Sequence, residues 1–155
     1  MIPAITAIVI FTTYLIAIAV KYGILKSISD SDYWLEKPYK YMFELTMFIC
    51  GLSLVWSGYL LNAYLMYIGG GLIFCVGLFP RFKRSKLIGF IHSFCATVGF
   101  ILATFSFWVN LNQWYLTILI AALTLIANLI TKNKTLSMEV VLGYSIFAAL
   151  LYNLI

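Results

Sequence analysis

Six long apolar runs divide the chain, at residues 2–20, 42–61, 63–79, 87–109, 114–130 and 138–155, with a long polar and aromatic segment after the first and short polar stretches between the others. Each run is close to the roughly 20 residues that a helix needs to cross the hydrocarbon of a bilayer. Pro3 suits a first helical turn, where its missing N–H costs nothing, and Pro80 ends the third run. Residues 42–79 are nearly unbroken in hydropathy, yet as one helix they would reach about 57 Å at 1.5 Å per residue. A hydrocarbon core is only about 30 Å thick, so this stretch must fold back. Asn62 lies at its middle, between Tyr59 and Tyr64 as interface aromatics, and marks the turn.

Composition agrees with that pattern. Of 155 residues, 64% are hydrophobic and 10% charged, against about 25% charged in a soluble domain. Six spans use up most of the chain and leave no length for a globular domain. The expected fold is all-α: one integral membrane helical bundle of six transmembrane helices over residues 1–155, with a short interfacial segment after the first.

The net charge of +5 could indicate nucleic acid or a membrane surface, and the placement of the basic residues favours the membrane. Lys21, Lys26, Lys37 and Lys40 lie between spans one and two. Arg81, Lys83, Arg84 and Lys86 lie between three and four, and Lys132 and Lys134 between five and six. The other connections and both termini carry no Lys or Arg. All ten basic side chains therefore fall on one face. The positive-inside rule makes that face cytoplasmic, so loops 21–41, 81–86 and 131–137 point inward and both termini outward, in a multi-pass cell-membrane protein. The lipid bilayer is the expected partner, and nucleic acid is not. Ala17-Ile18-Ala19 has the small-x-small look of a signal cleavage site, but no basic n-region precedes it, so a retained first span is expected.

In lipid, helices associate through close packing and polar contacts, so small residues should mark buried stripes. Span two offers Gly51 with Gly58 and Ser53 with Ser57; span three the run Gly69-Gly70-Gly71; span four Cys95, Gly99 and Ala103. Span five offers Thr117, Ala121, Thr124 and Asn128. Cys50, Cys75 and Cys95 sit in three different runs without metal-type spacing and read as small packing residues. Trp108 and Trp114 flank the second outer turn and Trp34 lies near the inner face, as aromatic belts would have it.

Four polar residues lie near the inner ends of their helices: Glu44, His92, Asn128 and Glu139. Each shares a helical face with small or polar residues, so the four could converge on one inward-facing site. An ionisable group in a membrane is a functional candidate by default, and His92 can change charge near neutral pH. The structural reading stands beside it. Glu44 and Glu139 open helices, where the macrodipole favours carboxylates; Ser137 could cap span six; and His92 could simply bond a neighbouring helix. The segment 23–34 is the second candidate, because Ser29, Asp30, Ser31 and Asp32 could bind a cation or a head group. Ser29 and Asp32 also have capping-box spacing, and an amphipathic element lying at the inner interface is the expected role.

Ser27-Ile28-Ser29-Asp30 after a first span, followed by five further spans, resembles small uncharacterised multi-span membrane proteins of bacteria and their phages. Some of these look like distant relatives of ceramidase-like intramembrane hydrolases. That hydrolase pattern implies several His ligands for zinc, and this chain has only His92; a catalytic zinc normally takes three protein ligands. No metal or cofactor is therefore expected. No G-x-S-x-G, phosphate loop, dinucleotide fingerprint or C-x-x-C occurs. The expected function is non-enzymatic: a channel-like or transport-like component, or one that binds a small ligand or lipid. A pore would require a homo-oligomer around an axis. The alternatives are an intramembrane hydrolase or transferase using His92 with Glu44, Glu139 or Asp30, and an adaptor that holds a partner protein.

Overall fold

A computed structural model describes residues 1–23, 27–29, 41–79, 85–131 and 134–155. Within a single segment the helix is the structure that satisfies every backbone group, and each apolar run becomes one. The order is α1 (Ile2–Tyr22), α2 (Met42–Leu60), α3 (Tyr64–Leu78), α4 (Lys86–Val109), α5 (Trp114–Ile130) and α6 (Lys134–Leu154). There is no strand among the described residues. Four helices (α1, α2, α4 and Thr135–Leu154 of α6) are long and apolar enough to cross a membrane, while α3 and α5 are shorter apolar helices.

Local chemistry sets the ends. Pro3 sits in the first turn of α1. Ser85 caps α4, its Oγ accepting from the Ile88 N–H at 3.1 Å. The turns after α2 and α4 each place an asparagine in the left-handed region, Asn62 at φ 53° and Asn112 at φ 54°. Asparagine tolerates that conformation better than most residues. The Ala63 N–H then reaches the Gly58 carbonyl at 2.8 Å, and the Gln113 N–H the Phe107 carbonyl at 2.6 Å. Asn110 Oδ1 accepts from the Leu65 N–H at 3.2 Å, which ties the two turns together at one end of the bundle. Helix α6 begins at Lys134, a turn earlier than hydropathy places it. Ser137 is thus inside the helix rather than capping it, and its Oγ lies 2.7 Å from Thr131 Oγ1.

Helices α2, α3 and α4 pack backbone against backbone, and glycine is what permits it. A Cβ on Gly70 would lie 2.6 Å from the Val55 nitrogen in α2, and one on Gly69 would lie 2.7 Å from the Gly99 carbonyl oxygen in α4. Successive glycines thus serve opposite neighbours of α3. The stripe Cys95, Gly99 and Ala103 is buried. The expected stripe on α5 is buried only at Thr117; Ala121 is exposed, and Thr124 and Asn128 are half-buried. Helix α5 lies at the edge of the bundle and turns Thr117, Ile120 and Ala127 inward instead.

Several polar groups within the helices find partners locally. Thr46, Thr124 and Thr131 hydroxyls donate to carbonyls four residues back. Helices are also joined directly, by the hydroxyls of Thr12 and Tyr144 at 2.6 Å and by Thr117 Oγ1 donating to the Thr104 carbonyl at 3.1 Å. Cys50, Cys75 and Cys95 are free thiols.

Candidate functional site

His92 lies in the second turn of α4 and is buried. Its Nδ1 is 2.8 Å from the Phe79 carbonyl oxygen. A carbonyl can only accept, so Nδ1 carries the hydrogen and donates it. In the neutral ring Nε2 is then the acceptor, and it takes the Ser29 hydroxyl hydrogen across 3.0 Å. The imidazole face stacks on Phe43 of α2, with centroids 6.3 Å apart and planes 27° apart. Phe43 is fully buried and packs in turn near Tyr14 of α1. The ring is thus held on two edges and one face.

Glu139, in the second turn of α6, accepts the Ile28 backbone N–H on Oε2 at 2.5 Å. That bond holds the turn Ser27–Ser29 over the ends of α4 and α6 and presents Ser29 to His92. A backbone N–H on a carboxylate is among the stronger protein hydrogen bonds.

Below this polar cluster lies a cavity of about 490 Å³. Phe11, Phe43 and Met47 from α1 and α2 form its floor; His92, Ala96 and Phe100 of α4 form one wall, Glu139 and Leu142 of α6 the other. Ser93, Thr97 and Ile101 of α4 and Thr135 and Met138 of α6, also in the lining, are exposed, so the cavity opens sideways between α4 and α6. Ser27, Ser29, His92 and Glu139 gather at one end; the remainder is aromatic and aliphatic apart from Thr97.

The sequence candidates separate accordingly. His92, Ser29 and Glu139 come together at the cavity. Glu44 does not line it; its backbone carbonyl abuts Gly77 on the α3 side of α2. Asn128 lines a neighbouring groove of about 440 Å³ along α5, which shares Phe100, Ile101 and Leu142 with the cavity as a common wall. Asp30, Ser31 and Asp32 lie outside the described residues. Among the described residues no three His, Cys, Asp or Glu side chains cluster as a metal ion would need. Sequence reasoning missed the Ser29–His92 pair, the Phe79 carbonyl and the floor residues Phe11 and Met47. Only proximity across 63 positions of chain joins Ser29 to His92, and no local pattern signals it. No family model, no curated protein and no solved structure matches the chain.

Proposed function

We propose that this is a multi-pass membrane protein that binds a single-chain amphiphile, such as a fatty acid or a fatty-acyl ester, in the cavity between α4 and α6. The observation that carries this is the cavity's polarity gradient. A head group meets Ser29, His92 and Glu139, and the chain lies along Phe11, Met47, Ala96 and Phe100. Ligand pockets are mostly apolar with a few placed polar groups, and a lateral mouth suits a ligand that arrives dissolved in the membrane. From His92 to Ile101 is about 13 Å along the helix axis, a length that takes an alkyl chain rather than an ion. One copy of the chain builds the whole cavity, so this reading needs no oligomer.

In this reading all six helices cross the cell membrane, with residues 21–41, 81–86 and 131–137 cytoplasmic and both termini outside. Helices α3 and α5, at 15 and 17 residues, extend about 22 and 25 Å, a shortfall that local thinning of the bilayer accommodates at modest cost. Exposed Trp56, Tyr59, Tyr64, Trp108 and Trp114 belong to helix ends that meet at the two asparagine turns, which is where an interfacial belt would lie. Exposed Lys21 and Lys86 belong to the opposite ends.

The test uses a diazirine-bearing fatty acid with the full chain in phosphatidylcholine nanodiscs. Cross-links should map to Met47, Ala96 and Phe100, and Ala96→Trp, which fills the cavity, should lower their yield several-fold. Cross-links spread evenly over lipid-facing residues such as Leu119 and Leu129, or unaffected by Ala96→Trp, would overturn the reading.

A further inference from the structure

We propose that Ser29 and His92 form a nucleophile–base pair that takes the acyl group from a fatty-acyl ester seated in this cavity, making the protein an intramembrane esterase; this rests on the amphiphile-binding reading above. Three observations meet at one place. Ser29 Oγ stands 3.0 Å from His92 Nε2. The other ring nitrogen is committed to the Phe79 carbonyl at 2.8 Å, which leaves Nε2 with its lone pair directed at the hydroxyl. Both residues line the polar end of the cavity. A nucleophile within hydrogen-bond reach of a base, with the base oriented by a third group, is the recurring arrangement of covalent catalysis. Here a backbone carbonyl takes the orienting position that a carboxylate often holds. Phe43 stacking fixes the ring plane, and Glu139, through the Ile28 amide, is a positioning residue for the turn that carries Ser29.

The step balances without any metal or redox partner. Ser29 Oγ attacks the ester carbonyl carbon while His92 Nε2 takes the hydroxyl proton, and the carbonyl π pair moves onto oxygen. Ser93 and Thr97 are the α4 hydroxyls in the cavity lining, the donor type such an oxyanion needs. Collapse of the tetrahedral adduct breaks the ester C–O bond. His92 returns its proton to the departing alkoxide, an alcohol leaves and acyl-Ser29 remains. Water then attacks the acyl carbon with His92 again as base; Ser29 Oγ departs with the proton, and a fatty acid is released. The net reaction is ester plus water to acid plus alcohol, and the lateral mouth would return both products to the membrane.

The test uses a long-chain alkyl fluorophosphonate on the full chain in nanodiscs, with a methyl fluorophosphonate as the short-chain control. The long-chain probe should phosphonylate Ser29, identified by peptide mass spectrometry, and should react faster than the short one because its chain occupies the cavity. His92→Gln should slow labelling by about 10²-fold or more, the usual contribution of a general base. In the wild-type protein, no modification, or modification anywhere other than Ser29, overturns the proposal whatever becomes of the variant. So does Ser29 labelling at equal rate in well-folded His92→Gln. Diazirine cross-linking of the same wild-type sample separates the two readings: cavity cross-links without Ser29 labelling sink the esterase alone, and absence of both sinks the binding site with it.

Discussion

The contact between α2 and α3 makes a sharp prediction because three adjacent glycines have three different surroundings. A Cβ added to Gly70 would lie 2.6 Å from the Val55 nitrogen and 2.8 Å from the Gly51 carbonyl oxygen. A Cβ added to Gly51 would lie 2.5 Å from the Phe74 nitrogen. Gly71 has nothing within 4 Å of the same position. Ordinary carbon contacts fall at about 3.5–4.0 Å, so an alanine at 51 or 70 must part the helices by roughly 1 Å. The atoms in the way are backbone and the Leu54 Cβ, none of which can rotate aside. Overpacking of this kind costs about 1–3 kcal/mol. Gly71→Ala should be neutral or gain up to about 1 kcal/mol from helix propensity. The pair Gly51→Ala with Gly70→Ala should cost less than the sum, because helices already parted for one methyl receive the second; neighbours of this kind couple by about 0.5–3 kcal/mol. Reversible unfolding in mixed dodecyl sulfate and mild-detergent micelles, followed by circular dichroism, measures all four proteins. A Gly71→Ala loss equal to that of Gly70→Ala would refute the argument, since the cost would then follow glycine content and not close approach.

Four further outcomes follow from the geometry. Asn62→Ala forces alanine to φ 53° and should cost about 1–2 kcal/mol in the same unfolding assay, while Asn62→Gly should be nearly neutral. A double-mutant cycle on Thr12→Val and Tyr144→Phe should return a coupling of about 0.6 kcal/mol, the average for interhelical hydrogen bonds in membranes, and zero coupling would remove that bond from the packing account. Glu139→Ala should speed hydrogen exchange at the Ile28 amide by about 10-fold or more, because a bond to a charged acceptor contributes about 1.5–3 kcal/mol, with Glu139→Gln falling between; an unchanged rate would show that the turn is held by other means. With the three native cysteines replaced by alanine, single cysteines at Asn62 and Asn112 should react with an impermeant maleimide on intact cells, and one at Ser85 only after permeabilisation; the reverse pattern would invert the proposed orientation.

The six helices were legible because hydropathy alone marks a segment that must satisfy its own backbone. Their ends were less so. Helix α6 continues outward to Lys134 because a helix does not stop where its apolar face stops, and a polar first turn carries no hydropathy signal. Gly69, Gly70 and Gly71 announced close packing without saying which neighbour each would meet, since that depends on how α3 is rotated between α2 and α4. The same limit governs the site. Counting by sevens puts Glu44 in line with Gly51 and His92 in line with Gly99, but it relates residues on one helix and says nothing of how two helices are turned toward each other. Gly51 meets α3, and Glu44 goes with it; His92 meets the turn at Ser29.

The position of the cavity follows from how unevenly the bundle is packed. Across α2, α3 and α4 the contacts are backbone to backbone through glycine. Between α1 and α6 they run through rings instead: Phe11 packs edge-on against Tyr144 and Phe147, and the closest atoms to a Cβ on Gly143 belong to the Phe11 ring, at 3.2 Å. Rings hold helices apart where glycines let them close, and the space left beside Phe11, Phe43 and Phe100 is the cavity. Helices α4 and α6 share little direct contact along this seam. Local opening is easiest where few contacts must be broken, so in the proposed amphiphile-binding reading parting α4 from α6 would let a membrane-dissolved ligand enter without disturbing the glycine-packed layer. The polar turn 27–29 closes the same seam at its end and is pinned to both helices at once, by His92 on α4 and by Glu139 on α6. Any widening of the seam must therefore stretch one of those two bonds. The group that would recognise a ligand head is thereby also the latch of the entrance, and head-group binding at Ser29 and His92 would compete with the contacts that keep the seam shut.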